Sequence, residues 1–118
     1  MNENMIAVIG AGTMGHGIAQ LAAESGFEVQ MIDVSSTALE VGMASINKTL
    51  ERAVSREKIT SENAAITLAR LTTATDFGNL TQARLIIEAA SENPDIKRKI
   101  FSELNEAADV NAILASNT

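Results

Sequence analysis

The sequence predicts an α/β fold built on a doubly wound parallel sheet. Short apolar runs alternate with segments of helical periodicity, the first run ends in a glycine-rich turn that leads into a helix, and the second ends on an acid. Such alternation brings strands parallel, because each crossover must return a helix across one face of the sheet. With 118 residues, 46% of them hydrophobic, residues 1–118 suit one domain around one core.

Met5 to Ile9 form a short apolar, partly β-branched run ending at Gly10, as in a central strand buried on both faces. From Met14 to Ser25, Met14, Ile18, Leu21 and Ala22 recur at helical spacing, and Gly26 follows where a left-handed C-terminal cap belongs. Phe27 to Ile32 reads as the second strand, with Asp33 at its carboxyl end and Ser35 or Ser36 as the next N-cap. The helix that follows is expected from Thr37 to Arg56, with Leu39, Met43, Ile46, Leu50 and Ala53 or Val54 on one stripe. Thr60 caps a shorter helix to Ala69 that carries Ala65, Ile66, Leu68 and Ala69, and Leu71 to Ala74 is the least marked of the strands. Leu85 to Ala89 is a clear strand. Pro94, the sole proline, suits a first helical position and Asp95 favours the positive end of a helix, so a helix is expected to Ala107. Ala112 to Ala115 form the last strand, running into Ser116-Asn117-Thr118. Met14, Met31 and Met43 are expected in the core or lining a pocket, where a soft side chain fills gaps. No repeat, linker or low-complexity segment interrupts the pattern.

Composition narrows the function classes. There are no cysteines and one histidine, so neither a disulfide framework nor a thiolate or polyhistidine metal site is expected. The net charge of −6 opposes a phosphate backbone, and three Phe with no Trp or Tyr provide no stacking platform, so nucleic acid is not an expected partner. No apolar run approaches the roughly 18 residues of a membrane span, and the first residues carry no basic leader, which makes the cytoplasm the expected location.

The chemistry is carried by Gly10-Ala11-Gly12-Thr13-Met14-Gly15, a GxGxxG at a strand-to-helix junction. Glycine permits the tight turn at Gly10, lets the backbone approach a pyrophosphate at Gly12, and lets helix and strand pack closely at Gly15. The helix start then offers N–H donors and partial positive charge to the phosphates. Asp33 lies 18 residues past Gly15, near the spacing of about 20 at which the ribose-binding acid of a Rossmann fold stands. A carboxylate there accepts from both ribose hydroxyls and repels a 2′-phosphate, which favours NAD over NADP. FAD and other nucleotides use the same loop, and the glycines and Asp33 taken alone also suit an ordinary turn and a helix cap.

Three stretches, IAVIGAGTMGHGIAQ over 6–20, IIEAASENPDIKRKIFSEL over 86–104 and the terminal ILASNT, resemble the 3-hydroxyacyl-CoA dehydrogenases and their 3-hydroxybutyryl-CoA dehydrogenase branch. The likeness runs along essentially the whole chain. It implies an enzyme of fatty acid metabolism and β-oxidation that interconverts 3-hydroxyacyl-CoA and 3-oxoacyl-CoA by hydride transfer to and from NAD, with a second, helical domain that supplies most homodimer contacts. By position, Glu92 and Lys97 would lie near the nicotinamide-side ribose and Asn117 beside the nicotinamide and the substrate carbonyl. Thr49 and Arg56 fall where the family places serine and lysine contacts to CoA, and so differ in type while keeping a hydroxyl and a positive charge. Each also has a plainer reading: a charged pair at a helix start for Glu92 and Lys97, a strand-end turn for Asn117, and exposed helix surface for Thr49 and Arg56. His16 sits in the first turn of the phosphate helix, away from the hydride, and is not a catalytic candidate.

The same resemblance places the catalytic serine, histidine and glutamate beyond Thr118. Proton removal from the 3-hydroxyl needs a base near neutral pH, and no second histidine is present. The 118 residues are therefore expected to bind NAD and to turn over little by themselves, as part of a longer enzyme. Two further readings stay open: a stand-alone nucleotide-binding module with a sensing or interaction role, and another Rossmann dehydrogenase acting on hydroxyacids.

Overall fold

The computed structural model describes residues 2–76, 83–89, 102 and 113–116. In chain order the elements are β1 (Asn2–Ile9), α1 (Thr13–Glu24), β2 (Glu28–Ile32), α2 (Ser36–Ser55), α3 (Ser61–Ala69), β3 (Leu71–Ala74), β4 (Ala83–Glu88) and β5 (Ile113–Ser116). The five strands form one parallel sheet in the order β3-β2-β1-β4-β5. The chain winds outward from β1 to β3, then resumes on the other side of β1 with β4. Between β1 and β4 the direction of winding reverses, which is where open parallel sheets bind ligands.

The crossovers through α1, α2 and α3 are locally encoded. Ser35 caps α2 by accepting from the Ala38 N–H at 3.1 Å, and Thr60 caps α3 by accepting from the Asn63 N–H at 3.1 Å. Gly26, at φ 105°, turns the chain out of α1 in the left-handed region that glycine enters without strain. Of the helix expected from Pro94 to Ala107, only Ser102 lies among the described residues, and it is helical.

The core lies under one face of the sheet. Ile6, Val8, Val29, Met31 and Leu71 join Ala19 and Ala23 of α1, Leu39, Ile46 and Leu50 of α2 and Ala64 of α3 in one cluster, so α1, α2 and α3 cover that face together. Burying Ile46 or Leu50 contributes about 1.5–3 kcal/mol each. On the opposite face Ala7, Ile9, Ile32 and Ile86 are buried too, as continuous apolar strands of a doubly wound sheet require.

Two expected helix stripes are displaced. Along α1 the buried positions are Gly15, Ala19 and Ala23, with Ile18 and Ala22 half-buried, while Met14 and Leu21 are 53% and 65% exposed. Along α3 Ala64 and Thr67 are buried and Leu68 is half-buried, leaving Ala65, Ile66 and Ala69 exposed. Both helices pack closely enough that small residues fill the contact, whereas a hydropathy pattern gives most weight to large ones. Met14 is thus not a core residue; Met31 is fully buried and Met43 partly so.

Candidate functional site

The glycine turn leaves β1 at Gly10, whose φ of 107° belongs to glycine and whose N–H donates to the Ile32 carbonyl at 2.6 Å. A Cβ on Gly15 would overlap the Gly10 carbonyl oxygen, so α1 rests directly on the turn. Among the described residues, a Cβ on Gly12 would meet nothing within 4 Å, so none of them closes the outer side of the turn. Gly12 is also the N-cap of α1, with no side-chain cap and no acid in the first turn. Among the described residues, no side chain caps the amides of the first turn, which add to a positive helix end. An open turn without a Cβ and an uncapped helix start fit a diphosphate group.

Asp33 follows β2 directly beside this turn. Its Oδ2 accepts from the Ala11 N–H at 3.0 Å and its Oδ1 from the Ser35 N–H at 2.9 Å. The carboxylate thus ties the second position of the glycine motif to the start of α2, with lone pairs left for ribose hydroxyls. The expected ribose acid and the phosphate turn form one hydrogen-bonded unit.

Strand register extends the site sideways. Ile32 pairs with Ile9, Ile9 with Glu88 and Glu88 with Ser116, so the carboxyl ends of β2, β1, β4 and β5 are level. Asp33, Gly10 and Ala89 leave the sheet from this row, and Ala89 donates its N–H to the Ile9 carbonyl at 2.9 Å. Glu88 is fully buried at the reversal of winding, an acid directly after the apolar run Leu85-Ile86-Ile87 of β4. That charge among apolar residues was its only signal in the sequence.

The other candidates divide by place. Gly10, Ala11, Gly12, Thr13, Met14, Gly15 and Asp33 come together at the turn. Met14 is exposed at its rim. Thr49 and Arg56 are exposed on the far part of α2, about 20 and 30 Å along the axis from its start at the 1.5 Å rise of a helix. Thr49 donates its hydroxyl to the Ser45 carbonyl at 2.9 Å, and Arg56 is the C-cap of α2. Glu92, Lys97 and Asn117 lie outside the described residues. His16 is half-buried behind the turn, its Nδ1 3.2 Å from the Ala11 carbonyl oxygen and able to donate there when that nitrogen carries the proton.

One residue of the site gave no signal as a motif. Gly42 is buried in the middle of α2, where a Cβ would stand 2.9 Å from the Ala11 carbonyl oxygen and 3.3 Å from Met31 Cε. Glycine in a helix interior costs about 0.5–1 kcal/mol relative to alanine. Only the fold reveals what α2 gains by it, which is contact with the back of the glycine turn.

Comparison with known proteins agrees with this geometry. The sequence is 45% identical over 113 residues to 3-hydroxybutyryl-CoA dehydrogenase of Bradyrhizobium diazoefficiens, covering 96% of this chain and 39% of that protein. It is 42% identical over 118 residues to 3-hydroxyadipyl-CoA dehydrogenase of Escherichia coli, covering 100% of this chain and 25% of that protein. The chain therefore spans well under half the length of these relatives. The crystal structure of (S)-3-hydroxybutyryl-CoA dehydrogenase from Ralstonia eutropha superposes with a TM-score of 0.94 at 39% identity, covering 99% of this chain and 41% of that one. The family model for the NAD binding domain of 3-hydroxyacyl-CoA dehydrogenase matches residues 5–118. With glycine turn, Asp33 and parallel sheet in one arrangement and that match along nearly its whole length, the chain belongs to the NAD-binding domain family of the 3-hydroxyacyl-CoA dehydrogenases.

Proposed function

We propose that this chain is the cofactor-holding part of an NAD-dependent dehydrogenase that interconverts 3-hydroxyacyl-CoA and 3-oxoacyl-CoA. The observation that carries the reading is the bond from the Ala11 N–H to Asp33, which joins the glycine turn to the acid that follows β2. The diphosphate sits on the amides at the start of α1, with Gly10, Ala11, Gly12, Thr13, Met14 and Gly15 around it. Asp33 accepts from the hydroxyls of the adenosine ribose and repels a 2′-phosphate. Bound NAD supplies the hydride acceptor and donor. Asn117, Glu92 and Lys97, which follow the ends of β5 and β4 in sequence, serve the nicotinamide side, and Thr49 and Arg56 serve the CoA moiety. The substrate is an acyl-CoA, and the complete enzyme acts as a homodimer in the cytoplasm.

Proton transfer at the substrate hydroxyl requires a base that residues 1–118 do not supply, because the sole histidine stands behind the phosphate turn. The chain alone should bind NADH and reduce acetoacetyl-CoA poorly. Titration calorimetry with NADH and NADPH tests the binding half. Asp33→Ala should weaken NADH about tenfold, in line with the roughly 1.5–3 kcal/mol of hydrogen bonds to a charged group, and should narrow the preference over NADPH. Unchanged NADH affinity would remove the ribose role. Turnover by the 118 residues at ordinary enzyme rates of about 1–10³ per second would overturn the second half.

A further inference from the structure

We propose that Gly42 of α2 is a positioning residue for the cofactor, acting through the Ala11 peptide rather than by touching the dinucleotide. The inference rests on the reading that the diphosphate occupies the glycine turn. Ala11 is 2% exposed and is held from three sides. Its N–H is bound by Asp33, its carbonyl oxygen has His16 Nδ1 at 3.2 Å, and the bare Cα of Gly42 lies against that same oxygen. These contacts come from the end of β2, from α1 and from the middle of α2. Ala11, between the two loop glycines, is therefore a node at which three elements meet.

A methyl group on Gly42 would stand 2.9 Å from the Ala11 oxygen and 3.4 Å from the Ala11 Cβ. The first separation is too short to persist, and the obstacle is backbone. The third neighbour, Met31 Cε at 3.3 Å, is the end of a flexible side chain and can yield. Relief must therefore come from the Ala11 peptide moving outward or from α2 moving away. An outward shift changes the separation between Asp33 and the amides of the turn, and that separation decides whether one molecule can engage both. Since alanine is the better residue in a helix interior, the helix itself gains when the turn gives way. Stability and cofactor affinity should thus move in opposite directions, which loss of packing alone would not produce.

The test is NADH titration together with thermal melting of the 118-residue chain. Gly42→Ala is expected to weaken NADH at least fivefold with a melting temperature equal to or above that of the parent. Asn47→Ala, on the exposed face of the same helix, provides the comparison and should leave affinity unchanged. The double variant with Asp33→Ala should lose less than the product of the single effects, because the Ala11 N–H tether is already gone. Affinity within twofold of the parent, or strictly multiplicative losses, would overturn the positioning role. Should Gly42→Ala fail to fold, Ala11→Gly loosens the same residue from the turn's side, by removing the Cβ that faces Gly42 and freeing the backbone. It is expected to cost about threefold in NADH affinity, and no loss would refute the proposal. A parent chain that binds no NADH would instead defeat the cofactor reading on which the proposal stands.

Discussion

The two ends of α1 are finished in opposite ways. At the C-terminal end, Ser25 donates its hydroxyl to the Leu21 carbonyl at 2.8 Å, and the Gly26 and Phe27 amides donate to Ala23 and Ala22. Arg70 Nη1, 47 residues away in sequence, donates to the Ala23 carbonyl at 2.9 Å. At the N-terminal end, Gly12 contributes no side-chain cap and the first turn has no acid, although α2 and α3 both begin with capping hydroxyls. One helix thus has its carbonyl end satisfied by the protein and its amide end left for something else. Glycine at the N-cap gives up roughly a few tenths of a kcal/mol against a capping side chain, and the uncapped amides suit an anion.

The contrast can be broken most severely at Gly15, where any Cβ overlaps the Gly10 carbonyl. Gly15→Ala should abolish measurable NADH binding and lower stability by about 1–3 kcal/mol, the range for overpacking, as read by calorimetry and urea unfolding. Gly12→Asp inverts the design by giving α1 a capping carboxylate. A stability unchanged or slightly raised, with NADH affinity reduced by two orders of magnitude in the same calorimetric assay, is the expected outcome; retained affinity would mean the helix start is not the phosphate site. At the finished end, Arg70→Ala should cost about 1–2 kcal/mol of stability and leave NADH affinity unchanged, since it serves a carbonyl remote from the turn. Ser25→Ala should be smallest, at about 0.5 kcal/mol in urea unfolding, again without effect on the cofactor.

Much of this was legible in the residues. The order of strands and helices, the caps Ser35 and Thr60, the turn out of α1 at Gly26 and the pairing of a glycine turn with Asp33 all follow from local rules. Those rules work because a cap or a positive φ concerns residues a few positions apart. The buried face of α1 was less legible, since Gly15, Ala19 and Ala23 carry little hydropathy and their burial comes from how closely the helix meets the sheet. Gly42 offers no local signal at all; its meaning lies in a contact with Ala11, 31 residues earlier. Thr49 and Arg56 rest on family position alone, about 10 and 20 Å along the axis of α2 from Gly42, where that helix meets the turn.

By itself the sequence determined the alternation of elements, the open glycine turn and the acid at the end of β2, because each is set by short-range sterics and hydrogen bonding. Only the tertiary structure decided which strand ends stand level, which face of α1 is buried, and that Asp33, His16 and Gly42 converge on one residue, Ala11. Those outcomes depend on sheet register and helix packing between distant segments, and no local pattern encodes a distance between residues that the chain must fold to bring together.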